Sequence, residues 1–323
     1  MFENTQVKRA AGRFGRTGRH VLAGMACLAL VAGCTGITPK ELQSLGSELH
    51  QQKVDFAGLE KEARRARTAY AKEGEIRAAY PDTVRVATPG SKDVQYFIER
   101  DDAGRTQYLV VRGTADNKNL SEDVAVRVRE DRKTGLPVHA GFEADAQAIY
   151  ADAKPHLKRG YETRFVGHSL GGAVAAILAV YAKEDGYDVE SVVTFGQPRF
   201  TTASGAAKLA GLPLTRVVDE NDVIPMLPPG LFHNGPYGPY EQVGPEIILL
   251  EGPRYVYLPS HDATRLSAGE LWRELGVADL PDHKMQNYLK RLEAKRSGAI
   301  EVAYNERERY VAKPKTAARA AVR

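Results

Sequence analysis

The sequence is poor in cysteine. Only Cys27 and Cys34 occur among its 323 residues, which excludes a disulfide framework and any zinc site built on paired cysteines. His139 and His156 have no partners at metal-ligand spacing, so no metal is expected. Net charge is also scarce. The formal +4 of the whole chain is matched by Lys8, Arg9, Arg13, Arg16 and Arg19 against Glu3, and the balanced remainder gives no basic surface for nucleic acid. The apolar run "VLAGMACLALVAG", Val21 to Gly33, is too short for a permanent membrane-spanning helix. No internal repeat is present. What the chain does have is 43% hydrophobic residues over this length, enough for the core of one large α/β domain with extensions.

The basic residues followed by the apolar run read as a targeting segment, residues 1–33, set aside from the fold. Small residues Ala32 and Gly33 then precede Cys34. In that order these features resemble the lipobox of bacterial lipoproteins. The resemblance implies cleavage between Gly33 and Cys34, acyl chains on Cys34, and membrane attachment in the cell envelope. With Thr35 rather than Asp following, it implies the outer membrane. An ordinary secretory signal with an unrelated cysteine is the plainer alternative. Either way Cys27 is removed and the mature chain has no disulfide.

Residues 34–80 form a helical extension, in which Leu42, Leu45, Leu49, Val54 and Leu59 recur at loosely helical spacing among charged residues and alanines. It serves either as a spacer from the anchor or as a layer across the next domain, and nothing in it is chemically distinctive. Residues 81–295 form the main domain. There "TVRVAT", "VQYFIER" and "TQYLVVRG" predict strands, the last two joined by the turn "DDAG". "VAVRVRE" predicts another strand and "GFEADAQAIYADAKPHL" an amphipathic helix. From Tyr161 strand and helix alternate through "YETRFVG", "LGGAVAAILAVYAKE", "VESVVTFG", "TASGAAKLAG" and "LTRVVD", the order of a parallel sheet with crossover helices. A hairpin, "EIILLEGPRYVYLP", and a helix containing "HKMQNYLKRL" follow, and residues 296–323 read as a basic tail.

The chemistry concentrates at "RFVGHSLGG". A serine hydroxyl is a weak nucleophile, needing a base to take its proton and donors to hold the oxyanion that forms. Ser169 sits between a strand and the helix starting at Leu170, flanked by Gly167 and Gly171. A Cβ at either flank would obstruct the sharp turn. The Leu170 N–H, free at the helix start, faces an anion favourably. A tight packing turn is the alternative reading of this motif alone. On such a sheet the acid and then the histidine should follow the serine. Asp222 stands just after the strand "LTRVV", where functional loops emerge, with Asp219 and Glu220 as competitors. His233, His261 and His283 follow; His233 precedes the last strand pair, whereas spacing does not separate the other two.

These residues resemble the class 3 lipases, α/β-hydrolases that cleave acylglycerols and related esters. The resemblance runs through "VVRGTADNKNLSED", "VHAGF", "VGHSLGGAVAAILA", "TFGQPRF", "RVVDENDVIPMLPP" and "DHKMQNYL". It implies the α/β-hydrolase fold, with a mostly parallel sheet between helical layers. It selects Asp222 as acid and His283 as base, and adds Thr114 to Leu170 in the oxyanion hole. Asp123 matches an acid that positions the oxyanion loop, and a solvated helix-start carboxylate is the alternative. His168 matches a supporting position beside the turn. The implied reaction is attack by Ser169 on an ester carbonyl, an acyl-enzyme and its hydrolysis, with no metal or organic cofactor.

One departure concerns the lid. Where members that act at oil surfaces carry an apolar, Trp-bearing loop, "ADNKNLSEDV" is polar, with Leu120 in place of the aromatic. Weak interfacial activation is expected, so short or soluble esters are as suitable as lipid droplets. Ile224 to Leu231 with Phe232 either line an acyl pocket or form a buried loop. Two functions are open: a lipid-anchored serine esterase or lipase with an ester or lipid substrate, and a catalytically idle hydrolase fold acting as an envelope binding protein.

Overall fold

The structure, a computed structural model, describes residues 39–90, 93–114, 127–228, 235–260, 263 and 282–311. Among the described residues three helices come first: α1 (Pro39–Leu45), α2 (Phe56–Thr68) and α3 (Glu73–Ala79). Asp55 starts α2 by accepting a hydrogen bond from the Gly58 amide, one of the donors left free at a helix N-terminus. The strands β1 (Thr83–Ala87), β2 (Tyr96–Asp101) and β3 (Thr106–Val111) form a meander. The short strands β4 (Val128–Glu130) and β5 (Pro137–His139) lead into α4 (Ala140–Ala153). Then β6 (Glu162–His168), α5 (Leu170–Glu184), β7 (Asp188–Phe195), β8 (Thr201–Thr202), α6 (Ala203–Lys208) and β9 (Leu214–Asp219) alternate. The last elements are β10 (Tyr240–Glu241), β11 (Glu246–Leu249), β12 (Arg254–Leu258), α7 (Met285–Glu293) and β13 (Ile300–Glu301).

A nine-stranded sheet runs in the order β1-β2-β3-β6-β7-β9-β11-β12-β13. Its centre, from β3 to β11, is parallel, as crossover connections through helices require. The β11–β12 hairpin and the β1–β3 meander are antiparallel. A second sheet, β10-β8-β5-β4, has four short strands.

Side-chain alternation along the central strands divides the core in two. On β2, Tyr96 and Ile98 face one layer and Phe97 the other; on β6, Phe165 and Val166 divide likewise. The first layer is filled by α4 and α5, with Phe142, Ile149, Val174 and Ile177 fully buried. The second combines distant parts of the chain. Phe56, Ala63 and Ala66 of α2 pack with Met285, Tyr288, Leu289 and Leu292 of α7 over Val110, Val166 and Phe195. The extension is therefore a layer of this fold rather than a spacer. Arg65 ties it to the sheet, pairing with Glu99 at 2.8 Å and lying 3.7 Å from the centroid of the Tyr108 ring.

The expectation of a separate tail from residue 296 does not hold for its first part. Ile300 and Glu301 add β13 beside β12, and Tyr304 is buried against Ile248 and Val256. The Asn305 amide donates to the Gly46 carbonyl at 2.9 Å. The predicted cleavage site and Cys34, the oxyanion-loop residues Leu120 and Asp123, and the tail beyond residue 311 lie outside the described residues. Of the strand predicted at "VAVRVRE", Val128–Glu130 is described and extended.

Candidate active site

The sharp turn predicted at "GHSLG" is a strained one. Ser169 has φ 58° and ψ −134°, a left-handed conformation that costs a non-glycine residue energy and is held only where its surroundings dictate it. The surroundings here are backbone. The Ser169 amide donates to the Phe195 carbonyl at 2.9 Å, and the Ser169 carbonyl accepts from the Gly172 amide at 2.8 Å. A Cβ on Gly167 would lie 2.2 Å from the Gly171 carbonyl oxygen, and one on Gly171 would lie 2.5 Å from the carbonyl oxygens of Val111 and Arg112. The two glycines thus let β6, α5 and the end of β3 converge.

That convergence brings the predicted oxyanion residues to the elbow. A Cβ on Gly113 would be 2.8 Å from Ser169 Cβ, so Thr114 follows directly from a point beside the serine. Thr114 Oγ1 is buried and has no partner among the described residues. Leu170 opens α5, where the first amides lack intrahelical acceptors and the helix dipole favours negative charge.

The three competing acids separate by partner. Asp219 lies 2.6 Å from Arg291 on α7, and Glu220 lies 3.0 Å from Arg307; both are taken up in ion pairs. Asp222 instead approaches His283, with Oδ2 at 2.7 Å from Nδ1. Its carboxylate also accepts from Tyr288 Oη at 2.5 Å and from the Ile224 amide at 2.9 Å. Burial acts to raise the Asp222 pKa, but His283 and these hydrogen bonds outweigh it and hold the carboxyl below its ordinary value. The Tyr288 phenol is pushed well above its ordinary value by burial and by Asp222, so it remains a donor.

With Nδ1 turned to Asp222, the other nitrogen of His283 is left over for chemistry. Nε2 is buried and has no hydrogen-bond partner among the described residues. Ser169, Asp222 and His283 are 3%, 2% and 1% exposed. A Cβ on Gly196, at the end of β7, would meet Asp222, Tyr288 and His283 within 3.0 Å, so the strand after the elbow must end in glycine to admit the acid and the imidazole. His168 is also held at the site. Its ring centroid is 4.6 Å from that of His283, and burial together with the neighbouring His283 ring pushes its pKa down to about 3.

The remaining candidates lie elsewhere. His139 caps α4, with Nδ1 3.4 Å from the Phe142 amide, and His156 sits in a turn after α4. Ile224, Pro225 and Met226 are buried, whereas Leu231, Phe232, His233 and His261 fall outside the described residues. Sequence reasoning missed Tyr288 and Tyr70. Tyr288 could have been found from its position on the apolar face of "MQNYLKRL", one turn before Leu292. Nothing local marks Tyr70.

A mostly parallel sheet between helical layers, with a serine on a strained strand-to-helix turn and an acid and a histidine on later loops, is the α/β-hydrolase fold. A lipase from Rhizopus microsporus var. chinensis has the same fold, with a TM-score of 0.53 and 26% identity over 60% of this chain and 74% of that one. A family model described as Lipase (class 3) matches residues 108–232, a span that holds the oxyanion strand, the elbow and Asp222 but neither His283 nor the extension. The chain is 32% identical over 154 residues to a lipase of Rhizomucor miehei, and 29% identical over 172 residues to a secreted mono- and diacylglycerol lipase of Fusarium solani. It spans less than half of those relatives, 42% and 48% of their lengths, and the matches take up 43% and 49% of this chain. These similarities support the class 3 lipase family.

Proposed function

We propose that this protein is a serine hydrolase of carboxylic esters, acting on acylglycerol-type or related acyl esters through an acyl-enzyme. The observation that carries the reading is the polarity of His283: Nδ1 is bound to Asp222 at 2.7 Å, while Nε2 is buried and unpartnered. An imidazole oriented by a carboxylate, with one free nitrogen and its ring centroid 4.6 Å from that of His168, the residue before the strained serine, is a general base awaiting a proton. In the reaction Ser169 Oγ attacks the ester carbonyl as Nε2 takes its proton. Asp222 stabilises the imidazolium, and the amides of Leu170 and Thr114 hold the oxyanion, with Thr114 Oγ1 as a further donor. The imidazolium then protonates the departing alcohol. Water attacks the acyl-Ser169 ester by the same route, releasing the acid. The relatives' names favour acylglycerols, and the polar loop after Thr114 favours little dependence on an oil surface.

We further propose attachment to the outer membrane through acyl chains on Cys34, supported by the order of basic residues, apolar run, small pair and cysteine. Wild type should partition with membranes and Cys34→Ser should not; identical fractionation counts against the anchor. For the activity, a fluorophosphonate probe should label the wild type at Ser169. Ser169→Ala should lose both the label and about 10⁶-fold in kcat on p-nitrophenyl esters. Equal labelling of the variant, or a wild type inactive on acyl chains of every length, refutes the reading.

A further inference from the structure

Tyr70 lies just beyond α2, in the extension that carries no chemical motif, yet its side chain enters the site. Its backbone is clamped on both sides: Gln95 Nε2 donates to the carbonyls of Ala69 and Ala71 at 2.8 and 2.9 Å. The same Gln95 accepts the Arg112 amide through its backbone carbonyl at 2.9 Å. The clamp therefore joins the extension to the strand end that leads to Thr114.

At the other end of the side chain the hydrogen bonds have one consistent arrangement. His168 Nε2 is 2.7 Å from the His283 carbonyl oxygen; a carbonyl only accepts, so Nε2 carries a proton. The buried ring is neutral, which leaves Nδ1 an acceptor. Tyr70 Oη, 2.7 Å from Nδ1, must then donate to it, and the same hydroxyl accepts from the Gly113 amide at 3.1 Å. The chain of bonds runs from the Gly113 amide to Tyr70, to His168 and to the backbone of His283. It connects the oxyanion strand, the elbow and the loop of the base.

We propose that Tyr70 is a positioning residue for the reaction, its hydroxyl fixing Gly113, and through it Thr114, relative to Ser169 and His283. The proposal rests on the ester-hydrolase reading above. Its force comes from the tightness of the place: a Cβ on Gly113 would lie 2.6 Å from Tyr70 Oη and 2.7 Å from the His168 carbonyl oxygen. Oxyanion donors are effective when placed before the reaction begins, and a small displacement weakens them in the transition state more than it weakens substrate binding. Without the hydroxyl the Gly113 amide and His168 Nδ1 both lose their partner, and the loop carrying Thr114 loses its register with the elbow.

The test is Tyr70→Phe, which keeps the ring and removes only the hydroxyl. Hydrolysis of p-nitrophenyl butyrate is measured per mole of Ser169 titrated with the fluorophosphonate. The kcat is expected to fall about tenfold with KM within about twofold of wild type. His168→Gln should give a similar loss, and the double variant no more than either single one, because both changes cut one chain. A Tyr70→Phe protein with wild-type kcat, or with its loss confined to KM, overturns the proposal; so do additive losses in the double variant. If Tyr70→Phe does not fold, His168→Gln judged on the same two constants decides, an unchanged kcat being the refuting result. A wild type inert toward every ester overturns the ester-hydrolase reading and this proposal with it, whereas failure of the Tyr70 proposal alone shows only in the variants.

Discussion

The elbow and the helical extension serve the same site by opposite means. At the elbow, Gly167, Ser169 and Gly171 do their work through local backbone: a strained turn, two missing Cβ atoms and a helix start, all within a few residues. The extension has no such motif. It acts across long sequence separations, through α2 packed with α7 over one face of the sheet, and through the Tyr70 hydroxyl set between Gly113 and His168. A site can thus owe its shape to a short motif and its placement to a layer that resembles any other amphipathic helix.

The largest expected effect tests whether the extension belongs to the fold. Phe56 at the start of α2 is 5% exposed and packs edge-on to Tyr255, ring centroids 4.9 Å apart. Phe56→Ala should destabilise the whole protein by about 4 kcal/mol, with helicity, activity and tyrosine fluorescence lost in one urea transition. If α2 melted first and left activity intact, the extension would be an appendage and the comparison would fail. Gly171→Ala comes next. Its new methyl meets two backbone carbonyls that cannot swing aside, and a loss of about 3 kcal/mol in chemical denaturation is expected. A stable Gly171→Ala protein would show that the elbow is looser than its contacts imply.

The last test, whose effect per pH unit is smaller than either substitution's, sharpens the comparison at the residue where the two regions meet. His168 has a pKa of about 3 in the fold, against about 6.5 in an unfolded chain. Between those values the unfolded chain binds a proton that the folded chain refuses, so stability rises with pH across this window and the contribution is complete above about pH 6.5. Acidification below pH 6.5 should therefore cost about 1.4 kcal/mol per pH unit from this group. Urea titrations from pH 6.5 to 4 should show a shallower dependence for His168→Gln than for wild type. Equal slopes would mean that the ring takes up a proton without unfolding.

The sequence made the elbow legible because its requirements are steric and adjacent: a residue without Cβ on each side of a serine, between a strand pattern and a helix pattern. The alternating strands and helices from Tyr161 to Asp219 were legible for a similar reason, since their periodicity reports local geometry. The choice among Asp219, Glu220 and Asp222 was not open to spacing, because it depends on which carboxylate finds Arg291, Arg307 or His283, residues far along the chain. Tyr70 was hidden more deeply. Its neighbours, "ARTAYAKEG", carry only the pattern of a surface helix, and its role exists only once Gln95 and Gly113 are brought beside it. The first part of the predicted tail is hidden for the same reason: a two-residue strand and a buried tyrosine have no periodicity to detect.

The two outer strands of the main sheet bear on how the protein behaves in company. β1 pairs with β2 through an irregular register between Thr83 and Arg85, and its Arg85 is paired with Asp152 at 2.6 Å. At the opposite margin stands β13, only two residues long. A kinked, charged border on one side and an abbreviated one on the other offer a neighbouring molecule little continuous backbone to pair with. Crowded copies should therefore resist growing sheet upon sheet, and the protein should tolerate concentration without forming fibrils.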